Sequence, residues 1–341
     1  MKLKDIANQL GLSVSTVSRA INHTGRVSEE TRQQVLKLTK ELNYQPDDLA
    51  RGLKMNTTKT LGVIVPDISN IFYAEILSGI SKVASQEGYS VMICNSDGQV
   101  EEENKQVGLL IKKRVAGIVV AASGNEASYY EKCQLSKIPV AFVDNMITST
   151  RRYLGISVDN ALISYNLTRH LLKLGHRRIA TITGRLEDNT AADRLNGFRR
   201  AIEEIGLTVD ERLIVQGEFG SKSSGYEAAK LLLALPEEQR PTAVLAQNNH
   251  IAFGAYAYLR EQKLKAPRDI SIACFDAIDL SGLMKPRLTC YIQPARQFGE
   301  IAAQKLLDEI EGRISSAATV GRILLDAAFV KGGSCAELEQ Q

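Results

Sequence analysis

Long apolar runs are missing from this chain. The longest, such as residues 61–66 and 116–122, fall far short of the roughly 20 residues that span a bilayer, which excludes a membrane-spanning helix. The first residues carry Lys2, Lys4 and Asp5 among apolar positions at helical spacing, not the continuous apolar core of an export signal, and this argues against secretion. Cysteines are few and scattered, at positions 94, 133, 274, 290 and 335. They form no C-x-x-C and no regular spacing, so neither a zinc knuckle nor a disulfide framework is expected, and a reducing cytoplasm fits best.

Signatures of catalysis are missing too. The sequence holds no G-x-G-x-x-G, no G-x-x-x-x-G-K-[ST], no G-x-S-x-G and no H-E-x-x-H. Its histidines, His23, His170, His176 and His250, lie in unrelated contexts without metal-ligand spacing, and His176 reads as part of a helix-to-strand turn. The expectation is a protein that binds without catalysing, with no cofactor and no metal.

The 341 residues are 44% hydrophobic and 24% charged, ordinary globular proportions, and at roughly 100–200 residues per domain they predict two or three domains. The net charge of +3 is unevenly spread. Residues 1–60 hold ten Lys/Arg against six Asp/Glu, leaving 32 basic and 33 acidic residues in the remainder. The basic surplus therefore sits at the N-terminus, where it suits a polyanion.

Leu3, Ile6, Ala7 and Leu10 recur at i, i+3, i+4 and i+7, an apolar stripe on a helix of about two turns that Gly11 ends. Ser13 is a good N-cap for a second helix at 14–21, which turns Val17, Ala20 and Ile21 inward and leaves Ser15, Thr16, Ser18, Arg19 and Asn22 outward. Two short helices across a Gly-Leu-Ser turn have the form of a helix-turn-helix, whose second helix enters the DNA major groove. A third helix starts at Ser28 and closes this small core through Val35, Leu36, Leu38 and Leu42.

The segments KLKDIANQLGLSVSTVSRAIN, RVSEETRQQVLKLTKELNYQP and LARGLKMNTTKTLGVIVP closely resemble the DNA-binding head and hinge of the lactose/galactose-repressor (LacI/GalR) family of bacterial transcription regulators, and the similarity runs through nearly the whole chain. The resemblance implies that the residues reading base edges are Val14, Ser15 and Arg19. Arginine reads guanine N7 and O6 bidentately, Val14 suits a thymine methyl, and Ser15 is permissive. Ser13, Thr16, Ser18, Asn22 and Arg26 suit phosphate contacts, which set register without reading sequence.

Pro46 stops the third helix, and residues 46–60, ending in Asn56-Thr57-Thr58-Lys59, read as a linker. By resemblance this is a hinge helix that orders on DNA, with Leu53 and its dimer mate wedged into the minor groove at a flexible central step. Asp47 stands where the family usually has asparagine, and Gly52 lowers helicity by about 1 kcal/mol relative to alanine. A hinge that is poorly helical off DNA is expected.

Beyond residue 60, strand-like runs at 61–65, 90–94, 117–121, 140–143, 178–183, 213–215, 243–246 and 270–275 alternate with helical stretches at 74–86, 102–113, 162–174, 191–205, 224–235 and 251–262. Such alternation predicts an α/β fold of parallel sheets with helices on both faces. Eight units exceed one comfortable sheet, so two doubly wound lobes with a crossover near 159–162 are expected, with ligands bound beyond the carboxyl ends of the strands. The resemblance implies the same fold, a two-lobed core like a periplasmic binding protein. The expected domains are a head at 1–45, a hinge at 46–60 and a core at 61–341. Its first lobe covers about 61–159 and 292–322, and its second about 160–291 and 323–341.

Also by resemblance, the arginine of R-x-x-G-F, here Arg194 ahead of Gly197-Phe198, clamps polar ligand groups, and Asp276 at the end of a strand accepts from the ligand. Asn248 falls on a third polar contact, Phe219 on an aromatic wall, and Phe72 and Tyr73 on the first lobe's share. The tract LEDNTAADRLNGF is most like the purine and ribose branches, which adds Asp188 and Thr190. An arginine, an acceptor carboxylate and aromatic walls suit a sugar, nucleoside or purine. Asn249 replaces the family's usual aspartate and Cys274 its usual glycine.

The expected protein is thus a homodimeric repressor on a palindromic double-stranded operator, controlled by a small polar effector whose binding closes the lobes and shifts the hinge. Residues 331–341 show no sustained heptads, so no tetramer-forming helix is expected. An activator built from the same parts is one alternative; a cytoplasmic sugar-binding protein without a DNA function is another. Residues 1–60 weigh against the latter, because a transport-associated binder carries an export signal where this chain carries a basic helix-turn-helix.

Overall fold

A computed structural model of the chain describes residues 3–21, 25–42, 58–125, 128–147, 153–217, 221–276 and 285–338. The contacts divide it into two units, residues 1–58 and 59–341.

Among the described residues, the first unit holds three helices, α1 (Leu3–Leu10), α2 (Val14–Ile21) and α3 (Glu29–Glu41). Ile6, Ala7, Val17, Ala20 and Val35 form its buried centre, with Leu3, Leu10, Leu12, Ile21, Val27, Leu38 and Leu42 packed around them. Caps set the helix starts. The Ser13 hydroxyl accepts from the Thr16 amide at 3.1 Å, and the Ser28 hydroxyl accepts from that of Thr31 at 3.2 Å. Leu36 is a correction to the sequence reading: it is 38% exposed, because Val35, Leu38 and Leu42 already carry the inward stripe and Leu36 lies about 100° away from it.

The second unit is built from two six-stranded sheets. Its elements are β1 (Thr60–Val65), α4 (Ile71–Gln86), β2 (Ser90–Asn95), α5 (Val100–Lys112), β3 (Gly117–Val120), α6 (Ser128–Leu135), β4 (Val140–Val143), β5 (Leu154–Ser157), α7 (Asn160–Lys173), β6 (Ile179–Thr183), α8 (Asn189–Glu203), β7 (Ile214–Gln216), α9 (Lys222–Leu233), β8 (Ala243–Ala246), α10 (Asn249–Glu261), β9 (Ser271–Phe275), β10 (Thr289–Ile292), α11 (Ala295–Ile310), β11 (Gly321–Leu324) and β12 (Ala328–Val330). The first sheet has the order β11-β5-β4-β3-β1-β2 and the second β12-β10-β9-β8-β6-β7. All pairings are parallel except β10 with β12. The inner strands are short and buried along their whole length, as in GIVV of β3 and VAFV of β4, because helices cover both faces.

The chain passes between the sheets three times, before α7, before α11 and before β12. The last passage comes slightly later than expected. Ile323 and Leu324 pair with Ile156 and Ser157 in the first sheet, so the switch follows Leu324 and not residue 322. Sequence reading also missed β5, β10, β11, β12, α6 and α11. Among the missed strands, β5 (LGIS), β10 (TCYI) and β11 (GRIL) break their apolar runs with glycine or polar residues, and β12 (AFV) is only three residues long.

Gly197 explains the R-x-x-G-F tract. A Cβ at this position would overlap the Ala161 carbonyl oxygen, so glycine is what lets α8 lie tightly on α7 and fixes Arg194 one turn earlier. His176 is buried in a structural role, its Nδ1 bonded to the Thr242 hydroxyl at 2.9 Å and its Nε2 to that of Ser271 at 3.0 Å.

Candidate functional site

In the helical head, the outward face of α2 is polar at every point but one. Val14 is 44% exposed at its first position, an apolar side chain that no core residue covers. Ser13, Ser15, Arg19 and Arg26 are exposed, and Thr16 and Ser18 are half-buried. The Ser13 hydroxyl is engaged with those of Ser15 and Thr16, at 2.7 and 2.8 Å, as well as with the helix cap. Asn22, Leu53 and residues 46–57 of the hinge lie outside the described residues, and Thr60, placed in the hinge, begins β1.

Between the two sheets of the core is a cavity of about 310 Å³, at the small end of the range for ligand sites. Of the residues expected from sequence, Phe72, Tyr73, Asp188, Thr190, Arg194, Asn248 and Asp276 all line it. Phe219 lies outside the described residues. Strand ends supply most of the polar wall. Asp144 follows β4, Gln247 follows β8, Asp276 follows β9 and Gln293 follows β10. Asp144 and Asp276 both take left-handed backbone, with φ of 61° and 54°, which turns the chain sharply as it leaves the strand. Aspartate tolerates this region better than most residues.

Arg194 is only 7% exposed, so it is not a solvated helix residue. Its Nε donates to Asn160 Oδ1 at 2.7 Å, its Nη1 donates to the Gln247 carbonyl, and its guanidinium lies 4.1 Å from the centre of the Phe275 ring. Asp276 accepts from the Gln293 backbone N–H at 2.8 Å and from its side-chain amide at 2.5 Å. The Tyr73 hydroxyl donates to Asp144 Oδ2 at 3.4 Å. Asn248 caps α10, accepting from the Ile251 amide at 2.7 Å, and Phe72 packs edge-on to Tyr73 and Phe298.

Carboxylates dominate the electrostatics. Burial raises Asp144 from 3.8 to about 6, against the opposing pull of Arg194, and nearby Asp276 adds to the rise. Burial also lifts Asp276 and Asp188 above the usual carboxylate range, the latter opposed by Arg185. Three buried acceptors of lining residues, Asp144 Oδ1, Gln247 Oε1 and Gln293 Oε1, have no hydrogen-bond partner among the described residues. Buried acceptors are normally satisfied, and each of these three atoms is closed to solvent beside the cavity.

The sheets are tied across the cavity. Asn249 Nδ2 donates to Asn70 Oδ1 at 2.8 Å and Asn70 Nδ2 returns a bond at 3.3 Å, so the asparagine at 249 completes a reciprocal amide pair that a carboxylate could not form. Arg185 Nη1 donates to the Gly98 carbonyl at 2.6 Å, Asn145 Nδ2 to Asp188 Oδ1 at 3.3 Å, and the Met146 amide to Asn189 Oδ1 at 2.9 Å.

Sequence reasoning missed Asp144, Gln247, Gln293 and Asn70. Asp144 and Gln247 directly follow strands that the hydrophobic runs had already located, so the rule that ligands bind beyond strand ends was the available signal.

Comparison with known proteins agrees with this division. The family described as "Bacterial regulatory proteins, lacI family" matches residues 2–47, and that described as "Periplasmic binding proteins and sugar binding domain of LacI family" matches residues 58–329. The chain is 34% identical to the HTH-type transcriptional repressor PurR of Vibrio atlanticus over 313 residues, covering 91% of this chain and 92% of that protein. It is 36% identical to the HTH-type transcriptional regulator DegA of Bacillus subtilis over 301 residues, covering 86% and 87%. Among solved structures, a lac repressor dimer bound to operator and the anti-inducer ONPF superposes with a TM-score of 0.84 at 27% identity, covering 98% and 99%.

Proposed function

The chain belongs to the lacI family of bacterial regulatory proteins, and from that premise we propose that it is a cytoplasmic homodimeric repressor whose grip on a palindromic operator is set by a small, uncharged, donor-rich ligand in the inter-sheet cavity. Val14, Ser15 and Arg19 read base edges, while Ser13, Thr16, Ser18, Asn22 and Arg26 hold phosphates. Leu53 wedges the central step from the minor groove. Ligand binding changes how tightly the two sheets close, and that change reaches residues 46–60 through the dimer.

The observation that carries the ligand's chemistry is the trio of unpartnered acceptors, Asp144 Oδ1, Gln247 Oε1 and Gln293 Oε1. Hydroxyl or N–H groups satisfy them; phosphate and carboxylate oxygens do not. Charge argues the same way. Asp67, Asp97, Asp144, Asp188 and Asp276 line the cavity against the fixed cations Arg194 and Lys222, and Arg194 already spends two donors on the protein. A free sugar, a nucleoside or a purine fits this lining, with Phe72 and Tyr73 as apolar walls, and a phosphate ester does not.

The test is calorimetry on the full chain with pentoses, hexoses, nucleosides and purines beside their phosphorylated counterparts, followed by operator binding at a fixed salt concentration with each compound that binds. One of the unphosphorylated compounds is expected to bind and to change operator affinity. Tight binding of a phosphate ester at this cavity refutes the ligand class; an operator affinity indifferent to every bound compound refutes the regulatory reading.

A further inference from the structure

A second concavity, of about 400 Å³, shares no residue with the inter-sheet cavity. Its floor and walls come from Tyr165, Arg169, His170 and Lys173 of α7, Tyr291 of β10 and Phe329 of the edge strand β12. Two features set it apart, aromatic faces left open and positive charge left unpaired.

Phe329 pairs with Tyr291 in the antiparallel register, and it is 42% exposed, an aromatic ring that the fold does not cover. The Tyr291 ring lies 5.2 Å from it and the His170 ring 5.5 Å. A partly open ring flanked by two others in a concavity is a stacking platform. On the other side, the Arg200 guanidinium lies 4.3 Å from the centre of the Tyr165 ring, and Arg169 bonds the Tyr165 hydroxyl at 2.9 Å and Glu204 at 3.0 Å. Glu204 thus answers Arg169, whereas Lys173 and Lys331, both exposed, enter no ion pair among the described residues. Their field reaches His170, whose imidazole titrates below its ordinary value first through burial and then through Lys331 and Lys173.

Aromatic faces next to uncompensated cations select a planar ring tethered to an anionic group. We infer that this concavity of the second lobe is a binding site for a nucleoside monophosphate, the base stacked on Phe329 and Tyr291 and the phosphate held by Lys173, with Lys331, two residues past Phe329 at the end of β12, adding its field. The inter-sheet cavity has the opposite charge and its ligand lacks a phosphate, so the two sites do not compete for one compound. A regulator with both would register a nucleotide independently of its effector.

The experiment titrates the full chain carrying Asp276→Ala, which disables the inter-sheet cavity, with a nucleoside 5′-monophosphate, with the matching nucleoside and with inorganic phosphate, reading heat by calorimetry. The monophosphate should bind at least about tenfold more tightly than either fragment, because stacking and charge act together only in the intact nucleotide. The exposed double charge reversal Lys173→Glu/Lys331→Glu should weaken it at least about tenfold, and Phe329→Ser should weaken it while leaving any affinity for inorganic phosphate unchanged. No monophosphate binding up to millimolar concentration overturns the proposal, as does a nucleoside that binds equally well. Binding that survives the charge reversal undiminished places the nucleotide elsewhere and overturns it too.

Discussion

Asp144→Asn should make the core more stable and the regulator blind. The carboxyl is buried, has one oxygen without a partner among the described residues, and titrates at about 6 instead of 3.8, which corresponds to about 3 kcal/mol of extra cost for its ionised form. Because the folded pKa lies above the unfolded one, the ionised carboxylate opposes folding by the full amount above about pH 6. That cost fades as pH falls through 6 toward 3.8, where the group is protonated folded or unfolded. An amide of the same shape carries no charge, but it leaves its own donor unsatisfied, at about 1 kcal/mol. The net gain at pH 7.5 is then about 2 kcal/mol, or roughly 4 °C in melting temperature for a core of this size. At pH 5 the gain shrinks to about half a kcal/mol. Thermal denaturation of the full chain and the variant at the two pH values measures this directly, with the core transition followed by circular dichroism. A variant that melts at or below the parent at pH 7.5, or a gap that does not change with pH, refutes the reasoning. The same substitution should weaken the effector by ten- to a hundredfold, since a charge-assisted bond to a carboxylate contributes about 1.5–3 kcal/mol.

Three further outcomes follow from the geometry. Arg19→Ala should abolish preference at one guanine of the operator, costing about 1–3 kcal/mol there and leaving effector affinity unchanged; an equal loss on every duplex in an anisotropy panel would show that Arg19 touches only phosphate. Asp276→Ala should remove the response to effector while sparing operator binding, and an unaltered response in the same assay discards the cavity assignment. Gly197→Ala should destabilise the core by about 1–3 kcal/mol, because the new methyl group overlaps the Ala161 carbonyl and forces α7 and α8 apart; denaturant unfolding with an unchanged midpoint would contradict that packing.

How legible the molecule was depended on what kind of signal each part sends. The helical head was readable because its stripe residues, Ile6, Ala7, Val17 and Ala20, are all wholly buried, and because Ser13 and Ser28 cap at the expected places. Leu36 broke the pattern because it lies off the stripe that Val35, Leu38 and Leu42 turn toward the core. Strands such as β1, β3 and β4 announced themselves as continuous apolar runs, whereas β5 (LGIS), β10 (TCYI) and β11 (GRIL) mix glycine or polar residues into theirs. The cavity was half legible. Arg194 and Asp276 sit in tracts with a recognisable pattern, but Asp144, Gln247 and Gln293 belong to no motif. Their importance comes from three strand ends, far apart in sequence, that arrive at one wall.

That wall also shows why local rules fail where function begins. A fold optimised for stability alone would pair Asp144 Oδ1, Gln247 Oε1 and Gln293 Oε1 or replace them with apolar groups, since each unmet acceptor costs about 1–3 kcal/mol. Keeping them unmet concentrates in one cavity a set of interactions that only a donor-rich molecule can complete. Arg194 adds to this. Its bonds to Asn160 and Gln247 hold one donor face rigid against the protein, so its charge is fixed in place before any ligand arrives. The reciprocal Asn70–Asn249 pair then ties the two sheets together through bonds that a small change in their separation can break. Under the proposed function, affinity and closure both draw on the polar lining of this cavity, and Asp144→Asn is expected to gain stability at the expense of the switch.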